Sequence, residues 1–452
     1  MSEFTEIQTR KLVSAYGGVS SIIETTKGAL IIEPFDKWRY FIEVQRGSIE
    51  PIEVEDNRLL IRLKYYFQNL RRLLKVPANV SSLYADSQPQ DKEYIVGSKY
   101  FPEWMYCNNC GRFKDINEWW EGWRNSYRGS PQNMRDSFIP PKFYVCYNEA
   151  REKDKRRYFY ELEQVRFIMT APDGSIKDVP WERWNIAIKN KEDDSSDKGI
   201  IELQEGANEC CNNKDLRYDK STKFFDLSGV TIRCNNCGMR NTLAGLFGLR
   251  LSKIITDKEG NKRKIFFKPV IRTSNSVYYP IIISSLFLPQ EDILTPDDKA
   301  SAKNLFVNKG KSIEEIAKIL NVPEKALRAY LEPSSFITEN EYRLREYNFI
   351  TSTSDANSLN DDLTFSYEEI SNLANFSINK LVKIKKLKLT SVQTGYSRQE
   401  PIDRDLFAQE GDDFIKLGQD KFLKAKFTST KGNKTDYLPA IESYGEGVFI
   451  SL

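Results

Sequence analysis

The feature that most constrains the fold is a pentapeptide, Cys-Asn-Asn-Cys-Gly, that occurs twice, at residues 107–111 and 234–238. Two thiols separated by two residues and followed by a glycine are typical of a zinc knuckle, in which the glycine adopts a left-handed backbone. Two such turns can complete one tetrahedral site if the chain between them forms a subdomain. We therefore predict a structural zinc site made by Cys107, Cys110, Cys234 and Cys237.

The remaining cysteines, Cys146, Cys210 and Cys211, leave other ligand sets open. Cys107 and Cys110 can instead pair with Cys146 and a fourth group such as Cys210 or Cys211. Buried free thiols, or knuckles that have lost their metal, are a further alternative. A disulfide framework is not expected, because the number of cysteines, seven, is odd and the first residues do not form a secretory signal.

The absence of histidine restricts the chemistry of this chain. None of the 452 residues is a histidine, which excludes Ser-His and Cys-His nucleophile pairs and the HExxH metalloproteases. There is neither a GxxxxGK[ST] loop nor a GxGxxG fingerprint, so nucleotide hydrolysis is not expected. No D-x-D or E-x-K pattern stands in a convincing context. We predict a protein that is not an enzyme.

Length and periodicity predict an α+β, multi-domain fold of mixed short strands and helices, with zinc-knuckle turns and a small helical insert. The expected segments are an N-terminal strand and helix domain, a Cys- and Trp-rich zinc-knuckle region, core strands, the helical insert, and a C-terminal strand and basic region. Their boundaries are 1–100, 101–250, 251–290, 291–340 and 341–452.

Local patterns refine this organisation. ALIIEPF and RYFIEVQRG are typical of strands, and leucines every three to four residues predict an amphipathic helix over 57–75. SIEEIAKILNVPEKALRAYL predicts two short helices in a helix-turn-helix-like arrangement, the first capped by Ser312 and Glu315. The WWEGW cluster fits a domain core better than a base-stacking surface. The polar residues 185–225 and 351–375 are expected to be loops.

Basic residues are concentrated locally although the net charge is only +3. Residues 380–388, KLVKIKKLK, carry five lysines and no acidic residue, in a region expected to hold strands and basic helical pieces. Such a run fits a nucleic-acid contact or an ordinary solvated face. The cations we predict to contact nucleic acid are Arg272, Lys383, Lys385, Lys386, Lys388 and Arg398.

Arg272 begins the stretch RTSNSVYYPIII, where a polar run leads into an apolar strand. Its guanidinium can hold a phosphate or pair with a carboxylate. The Ser274 and Asn275 pair is expected to satisfy backbone groups at the start of the strand, which makes this a structural junction and not a catalytic loop. No run of about 18 apolar residues is present, so we expect no membrane span and a cytoplasmic location.

Seven motifs are spread in order over nearly the whole of the given sequence. They are RKLVSAYGGVSSIIE, FPEWMYCNNCGRF, VRFIMTAPDGSIKDVPWERW, VTIRCNNCGMRNTLAGLFG, VIRTSNSVYYPIIISSLFLP, LVKIKKLKLTSVQTGYSR and YLPAIESYGEGVFI. In this order they resemble the DrmB family of DISARM anti-phage defence systems. The third motif carries a Cys and a His in that family, where this sequence has Ala171 and Ser175. A second zinc site that used those positions would be missing here.

The resemblance implies an accessory subunit that associates with a superfamily 2 helicase and helps it engage DNA, and that is neither the motor nor the nuclease. The family's C-terminal domain does not follow the last motif, and we expect it to lie on another chain or to be dispensable. The alternatives are a purely structural scaffold without DNA contact and, less favoured, a nuclease subunit that uses Asp and Glu with magnesium.

Overall fold

The computed structural model of the chain shows the predicted α+β fold, in which short strands are mixed with helices. The residues that it describes are 17–26, 28–48, 50–67, 70–76, 96–126, 140–144, 159–187, 201–203, 209–224, 226–256, 262–286, 288, 294–331, 339–352, 364–367, 378, 380–398, 425–428 and 434–451.

The strands of the described residues are β1 (Ile22–Thr25), β2 (Gly28–Ile32), β3 (Leu70–Lys75), β4 (Ser98–Tyr100), β5 (Trp104–Cys107), β6 (Phe113–Asp115), β7 (Lys142–Tyr144), β8 (Phe159–Gln164), β9 (Phe167–Thr170), β10 (Ile176–Asp178), β11 (Ile201–Leu203), β12 (Leu216–Lys220), β13 (Val230–Cys234), β14 (Arg240–Thr242), β15 (Leu249–Thr256), β16 (Lys262–Ile271), β17 (Tyr279–Leu286), β18 (Thr364–Tyr367), β19 (Lys380–Ser397), β20 (Ala425–Thr428) and β21 (Lys434–Ser451).

The α-helices of the same residues are α1 (Arg39–Arg46), α2 (Asn57–Tyr66), α3 (Ile116–Ser126), α4 (Trp181–Trp184), α5 (Pro296–Val307), α6 (Ile313–Leu320), α7 (Glu324–Leu331) and α8 (Glu339–Ser352). Within the described ranges, none of the helices has the length and apolar character needed to cross a membrane.

The chain divides into two compact units, each assembled from three separate stretches. The first unit comprises residues 1–39, 86–281 and 395–422, and the second comprises 40–85, 282–394 and 423–452. The five consecutive segments expected from the sequence do not correspond to these units, because strands far apart in the sequence pair with one another. For example, β3 lies parallel to β21, with Leu73 opposite Leu438.

The first unit contains four sheets within the described ranges, in the strand orders β1-β2-β4, β6-β5-β8-β7, β10-β9-β16-β15-β11 and β12-β13-β14. Its largest core includes Trp181 and Trp184, both with no exposed surface. Alternation along β13 turns Ile232 and Cys234 into that core, since successive strand residues point to opposite faces. This alternation places one cysteine of the second pentapeptide on the buried side.

The tryptophans of WWEGW lie in a second core of the same unit. Trp119, Trp120 and Trp123 are all buried along α3, and Trp119 donates a hydrogen bond from Nε1 to the carbonyl oxygen of Met105 at 2.9 Å. The interpretation of this cluster as a core, and not as a base-stacking surface, agrees with that burial.

The second unit is built on a sheet of order β17-β19-β21-β20, with β18 also paired to β19 and β3 to β21. Helices α5, α6 and α7 form a small bundle with its own core around Ile316 and Leu327. The capping box at the start of α6 is present, since Ser312 and Glu315 each bond to the backbone of the other. This confirms the predicted helical insert.

Several local expectations require correction. The stretches 185–225 and 351–375, expected to be loops, contain strands β11, β12 and β18. RYFIEVQR is helix α1, because Tyr40, Phe41 and Val44 share one buried face with helical spacing. The helix predicted over 57–75 ends at Tyr66, and Leu70–Lys75 continues as β3 because β21 offers its backbone a parallel partner. The basic run at 380–388 belongs to strand β19 and contains no helical piece.

Candidate metal centre

Four cysteine side chains converge in the first unit. The sulfur atoms of Cys210, Cys211, Cys234 and Cys237 all lie within 4.8 Å of one another, and those of Cys211 and Cys234 are 3.7 Å apart. Cys234 is buried, Cys210 and Cys211 are half-buried, and Cys237 is exposed. Four converging thiols at these separations can hold a metal ion.

The second pentapeptide has the backbone of a metal-binding turn. The N–H of Cys234 donates to the carbonyl oxygen of Met239 at 2.8 Å, and the N–H of Gly238 donates to that of Cys234 at 2.9 Å. Gly238 has a φ of 78°, which only glycine adopts without strain. The turn therefore brings Cys237 back over Cys234 at the end of β13.

The two asparagines of the pentapeptide fasten this turn to the segment that carries the other two thiols. Asn235 donates from its backbone N–H to the carbonyl oxygen of Asp215, and from Nδ2 to a carboxylate oxygen of Asp215, both at 2.9 Å. Asn236 donates from Nδ2 to the carbonyl oxygen of Asn213 at 2.9 Å. These bonds hold residues 210–215 beside the turn without any metal ion.

The strand register completes the arrangement. Leu216, the first residue of β12, lies directly opposite Cys234 in the antiparallel pair of β12 and β13. Cys210 and Cys211 come shortly before β12 in the sequence, so the same hairpin that presents Cys234 also returns these two thiols to it. The ligand set is therefore local, within one hairpin and the segment that leads into it.

The thiols differ in acidity. Burial raises the pKa of Cys210 to about 12, and burial together with the neighbouring thiols raises the pKa of Cys211. Burial acts in the same direction on Cys234, but backbone N–H groups of Cys237, Asp215 and Asn236 outweigh it and lower its pKa to about 6. One thiolate therefore forms readily, and a bound cation would displace the protons of the others.

A buried amide lies next to the cluster. Asn185 is 1% exposed, and its side chain favours the ionised form of Cys210. Apart from that thiol, neither the oxygen nor the nitrogen of this amide has a hydrogen-bond partner in the described part of the chain. An amide N–H beside a thiol is well placed to support a metal-bound thiolate, as outer groups do in metal sites. The residues present therefore fit a thiolate-bound ion.

The first pentapeptide has the same backbone but joins a different surface. The N–H of Cys107 donates to the carbonyl oxygen of Arg112 at 2.9 Å, and that of Gly111 to Cys107 at 2.8 Å, with φ of Gly111 at 73°. The carbonyl oxygen of Gly111 accepts from the N–H of Tyr218 in β12 at 2.8 Å. The first turn is thus packed against β12, whose hydrogen bonds on its other side go to β13.

The predicted ligand set changes accordingly. Cys234 and Cys237 lie with Cys210 and Cys211, and the four-thiol group of the described residues includes neither Cys107 nor Cys110. Cys146 falls outside the described residues. In the sequence, the signal for this ligand set was the adjacent pair Cys210-Cys211, which comes just before β12, the strand that pairs with the one ending at Cys234. It was overlooked as a partner of the second turn because the repeated pentapeptide favoured pairing the two turns.

Arg398 is a structural residue and not a surface cation. It has no exposed surface, and it donates to the carbonyl oxygens of Gly174, Val277 and Ser20 at 2.9, 2.6 and 2.6 Å. Its guanidinium also lies over the ring of Tyr396, 5.3 Å from the centroid. The predicted DNA contact at Arg398 is therefore wrong, because no phosphate can reach it.

Arg272 is also engaged within the first unit. It forms a two-pronged ion pair with Glu24, at 2.7 and 3.1 Å, and donates to the carbonyl oxygen of Val165 at 2.8 Å. Its side chain is 14% exposed. Ser274 caps the short turn Asn275–Val277, which agrees with the expected structural junction. The carboxylate that Arg272 pairs with belongs to this chain.

The four predicted lysines lie on β19 in the second unit. Lys383, Lys385 and Lys386 are exposed, whereas the Lys388 side chain is 17% exposed and pairs with Glu442 at 2.7 Å. Lys75 pairs with the same carboxylate at 2.7 Å. These two lysines outweigh the effect of burial and lower the pKa of Glu442. Among its lysines with described side chains, the basic run therefore presents three that are exposed, with Lys388 part of an internal ion-pair group.

The chain matches the model of a protein family. Residues 8–279 match the model of a family described as a domain of unknown function, DUF8724, and this range is more than half of the 452 residues. A search of curated proteins found no match. The matched range includes all four cysteines of the cluster and both pentapeptides.

Proposed function

The chain belongs to the DUF8724 family, and we propose that it is a non-catalytic accessory subunit of a DISARM-like anti-phage defence complex. In this proposal it carries a structural zinc ion, associates with a superfamily 2 helicase and helps that helicase engage DNA. The four converging thiols support the non-catalytic role, because four protein ligands favour a structural metal ion over a catalytic one. The ordered motifs that resemble the DrmB family are the support for the helicase partnership.

The ligand set favours zinc in a structural role. Four thiolates match the tetrahedral, sulfur-rich coordination of structural zinc, whereas catalytic zinc sites keep one position for water or substrate. The same set can bind iron, so the metal must be measured. Cys210, Cys211, Cys234 and Cys237 would hold the ion, which would join the segment before β12 to the turn after β13. Reduced thiols persist in the cytoplasm, the compartment we propose.

A structural scaffold is the second candidate, and a specific observation favours it. Arg272 and Arg398, two of the six cations predicted to contact DNA, are engaged within the first unit. A protein that only joins other subunits would not need DNA contacts. Salt-dependent DNA binding separates the two candidates, because phosphate contacts make affinity fall steeply with salt.

The test is co-expression of the tagged chain with its neighbouring genes, followed by identification of the proteins that co-purify and measurement of bound metal. We expect a stoichiometric helicase and one zinc per chain. A soluble chain that purifies alone would contradict the accessory role. Divalent-dependent DNA cleavage that a single Asp or Glu variant abolishes would support the nuclease alternative instead.

A matched pair of variants links the metal to the architecture. Cys234→Ser with Cys237→Ser removes two cluster ligands, and Cys107→Ser with Cys110→Ser removes the equivalent thiols of the first turn. We expect the first pair to lose the zinc and the second pair to keep the zinc of the cluster. Equal zinc loss in both pairs would contradict the ligand set.

A further inference from the structure

Strand β19 contains a bulge that concentrates positive charge. Ile384 lies opposite Gly447 and Leu387 opposite Gly445, so Lys385 and Lys386 together face the single residue Glu446. Such a bulge places two residues of one strand against one of its partner. It turns both Ile384 and Leu387 into the core around Phe349, and it leaves the two lysines exposed.

The bulge explains how the sequence Ile-Lys-Lys-Leu fits a strand that has one buried face. In a regular strand the side chains alternate, so one of two adjacent lysines would point into the core. The extra residue in the bulge returns Leu387 to the side of the strand that faces the core, and the strand pairing is irregular at that point. A run of lysines inside a core strand is thereby accommodated, with its charge on one outer face.

The neighbouring strand adds aromatic and apolar surface to that face. Lys383 lies opposite Val448, which is 62% exposed, and Tyr444 is 56% exposed. The ammonium of Lys386 lies 5.3 Å from the centroid of the Tyr444 ring. Ile450, two residues beyond Val448 on the same face of β21, is 52% exposed. The face therefore combines a row of cations on β19 with an exposed ring and two aliphatic side chains on β21.

Among the described side chains, lysines outnumber carboxylates on this face. Lys383, Lys385 and Lys386 stand against the exposed carboxylate of Glu446, whereas Glu442 already accepts Lys388 and Lys75. A cationic row beside an exposed aromatic ring is the combination that binds single-stranded nucleic acid, since lysines follow the phosphates while bases stack on the ring. A duplex would hide its bases from Tyr444 and would gain only from the lysines.

We propose that this outer face of β19 and β21 binds single-stranded DNA, with the phosphates on Lys383, Lys385 and Lys386 and a base stacked on Tyr444. This inference rests on the proposed function, because it names the form of DNA that the accessory subunit would hold. A helicase generates that form when it separates strands. The face belongs to the second unit, apart in the sequence from the cysteine cluster.

The test measures fluorescence anisotropy of a labelled oligo-dT strand, and of a duplex of equal length, with the full-length protein across a salt series. We compare the wild type with Lys385→Gln plus Lys386→Gln, with Tyr444→Ala and with Tyr444→Phe. The matched control is Lys262→Gln plus Lys264→Gln, which removes two exposed strand lysines from the first unit. Lys264 also lies over an aromatic ring, that of Phe266, at 5.0 Å.

We expect the wild type to bind the single strand more tightly than the duplex. Loss of Lys385 and Lys386 should lower the slope of log K against log salt by roughly 1.4, at about 0.7 for each phosphate contact. Tyr444→Ala should weaken binding by roughly 5- to 150-fold, the range of one stacked base. Tyr444→Phe and the control pair should stay close to the wild type.

Three results would overturn the inference. They are tighter binding of the duplex, equal losses in the Lys385/Lys386 pair and its control, and no single-strand binding by the wild type. If the Lys385/Lys386 and Tyr444→Ala variants lose the co-purifying helicase but keep the wild-type DNA affinity, the face binds protein. The helicase pull-down of each variant thus separates failure of this inference from failure of the proposed function.

Discussion

Replacing Arg398 by alanine tests whether a single buried guanidinium holds the first unit together. Arg398 has no exposed surface and joins Ser20, Gly174 and Val277, which lie far apart in the sequence, through their carbonyl oxygens. Its fourth hydrogen bond goes to Oγ of Ser20 at 2.8 Å. Burial lowers the pKa of Arg398, so the charge is kept there at a cost.

The expected effect follows from the groups left behind. Alanine leaves three buried carbonyl oxygens without this donor, at about 1–3 kcal/mol for each group that remains unsatisfied. The cost of burying the charge disappears at the same time and offsets several kcal/mol. The middle of that range less the offset leaves a loss of about 3 kcal/mol in the free energy of unfolding of the first unit for Arg398→Ala. Arg398→Lys should recover only part of this, because lysine lacks the planar fork.

Tryptophan fluorescence in a urea titration is the suitable assay. All seven tryptophans of the chain lie in stretches of the first unit, so their emission reports the unfolding of that unit. The matched control is Arg250→Ala. Arg250 also donates to two backbone carbonyl oxygens, those of Phe247 and Leu249, both at 2.8 Å, but at a partly exposed position. Its replacement should cost less than about 1 kcal/mol.

Two results would refute this reasoning. The first is an Arg398→Ala variant that unfolds at the same urea concentration as Arg250→Ala. The second is full recovery by Arg398→Lys, since that would mean that charge alone, and not the fork reaching three carbonyl oxygens, stabilises the site.

Three further predictions follow from the described residues. Chelation of the metal, or Cys211→Ser, should lower the urea midpoint of the first unit, while Cys110→Ser should not; equal midpoints for the two serine variants would contradict the cluster. Burial raises the pKa of Asp178 to about 7. The folded state then keeps a proton between pH 4 and 7 that the unfolded state releases, so stability should fall as pH rises through this window, by at most about 4 kcal/mol. Asp178→Asn should flatten that fall in urea titrations at several pH values, and an unchanged profile would refute the assignment. Gly111→Ala should lower the thermal unfolding temperature more than Gly238→Ala does. Both glycines have a positive φ, but only at Gly111 would a Cβ lie 2.9 Å from Oδ1 of Asp219 and 3.2 Å from the Tyr218 carbonyl oxygen. Equal losses would mean that backbone strain alone matters.

Local chemistry was the part of the structure that the sequence predicted well. The two pentapeptides form matching turns, each with glycine in the left-handed region, and the capping box at Ser312 is present. These features depend on a few adjacent residues whose backbone preferences are strong. The helix at Arg39–Arg46 was missed because RYFIEVQR also fits an apolar strand, and short apolar runs do not separate the two by periodicity.

Long-range pairing was the part that could not be predicted. The partners of Cys234 depend on the register of β12 with β13, and the burial of Arg398 depends on three carbonyl oxygens from distant segments. Residue type alone does not distinguish a surface arginine from a buried one. The bulge at Lys385 and Lys386 could not be predicted either, because it is required only by the position of Leu387 in the core, which depends on the tertiary structure.

The pairing of β3 with β21 sets a limit on how early the second unit can fold during synthesis. Leu73 finds Leu438, its strand partner, only after more than 360 further residues have left the ribosome. Until then Leu70 and Leu74, both buried in the finished protein, have no sheet to join. A nascent chain stalled before β21 would therefore expose the leucines of β3, and chaperone dependence during translation should concentrate in the second unit.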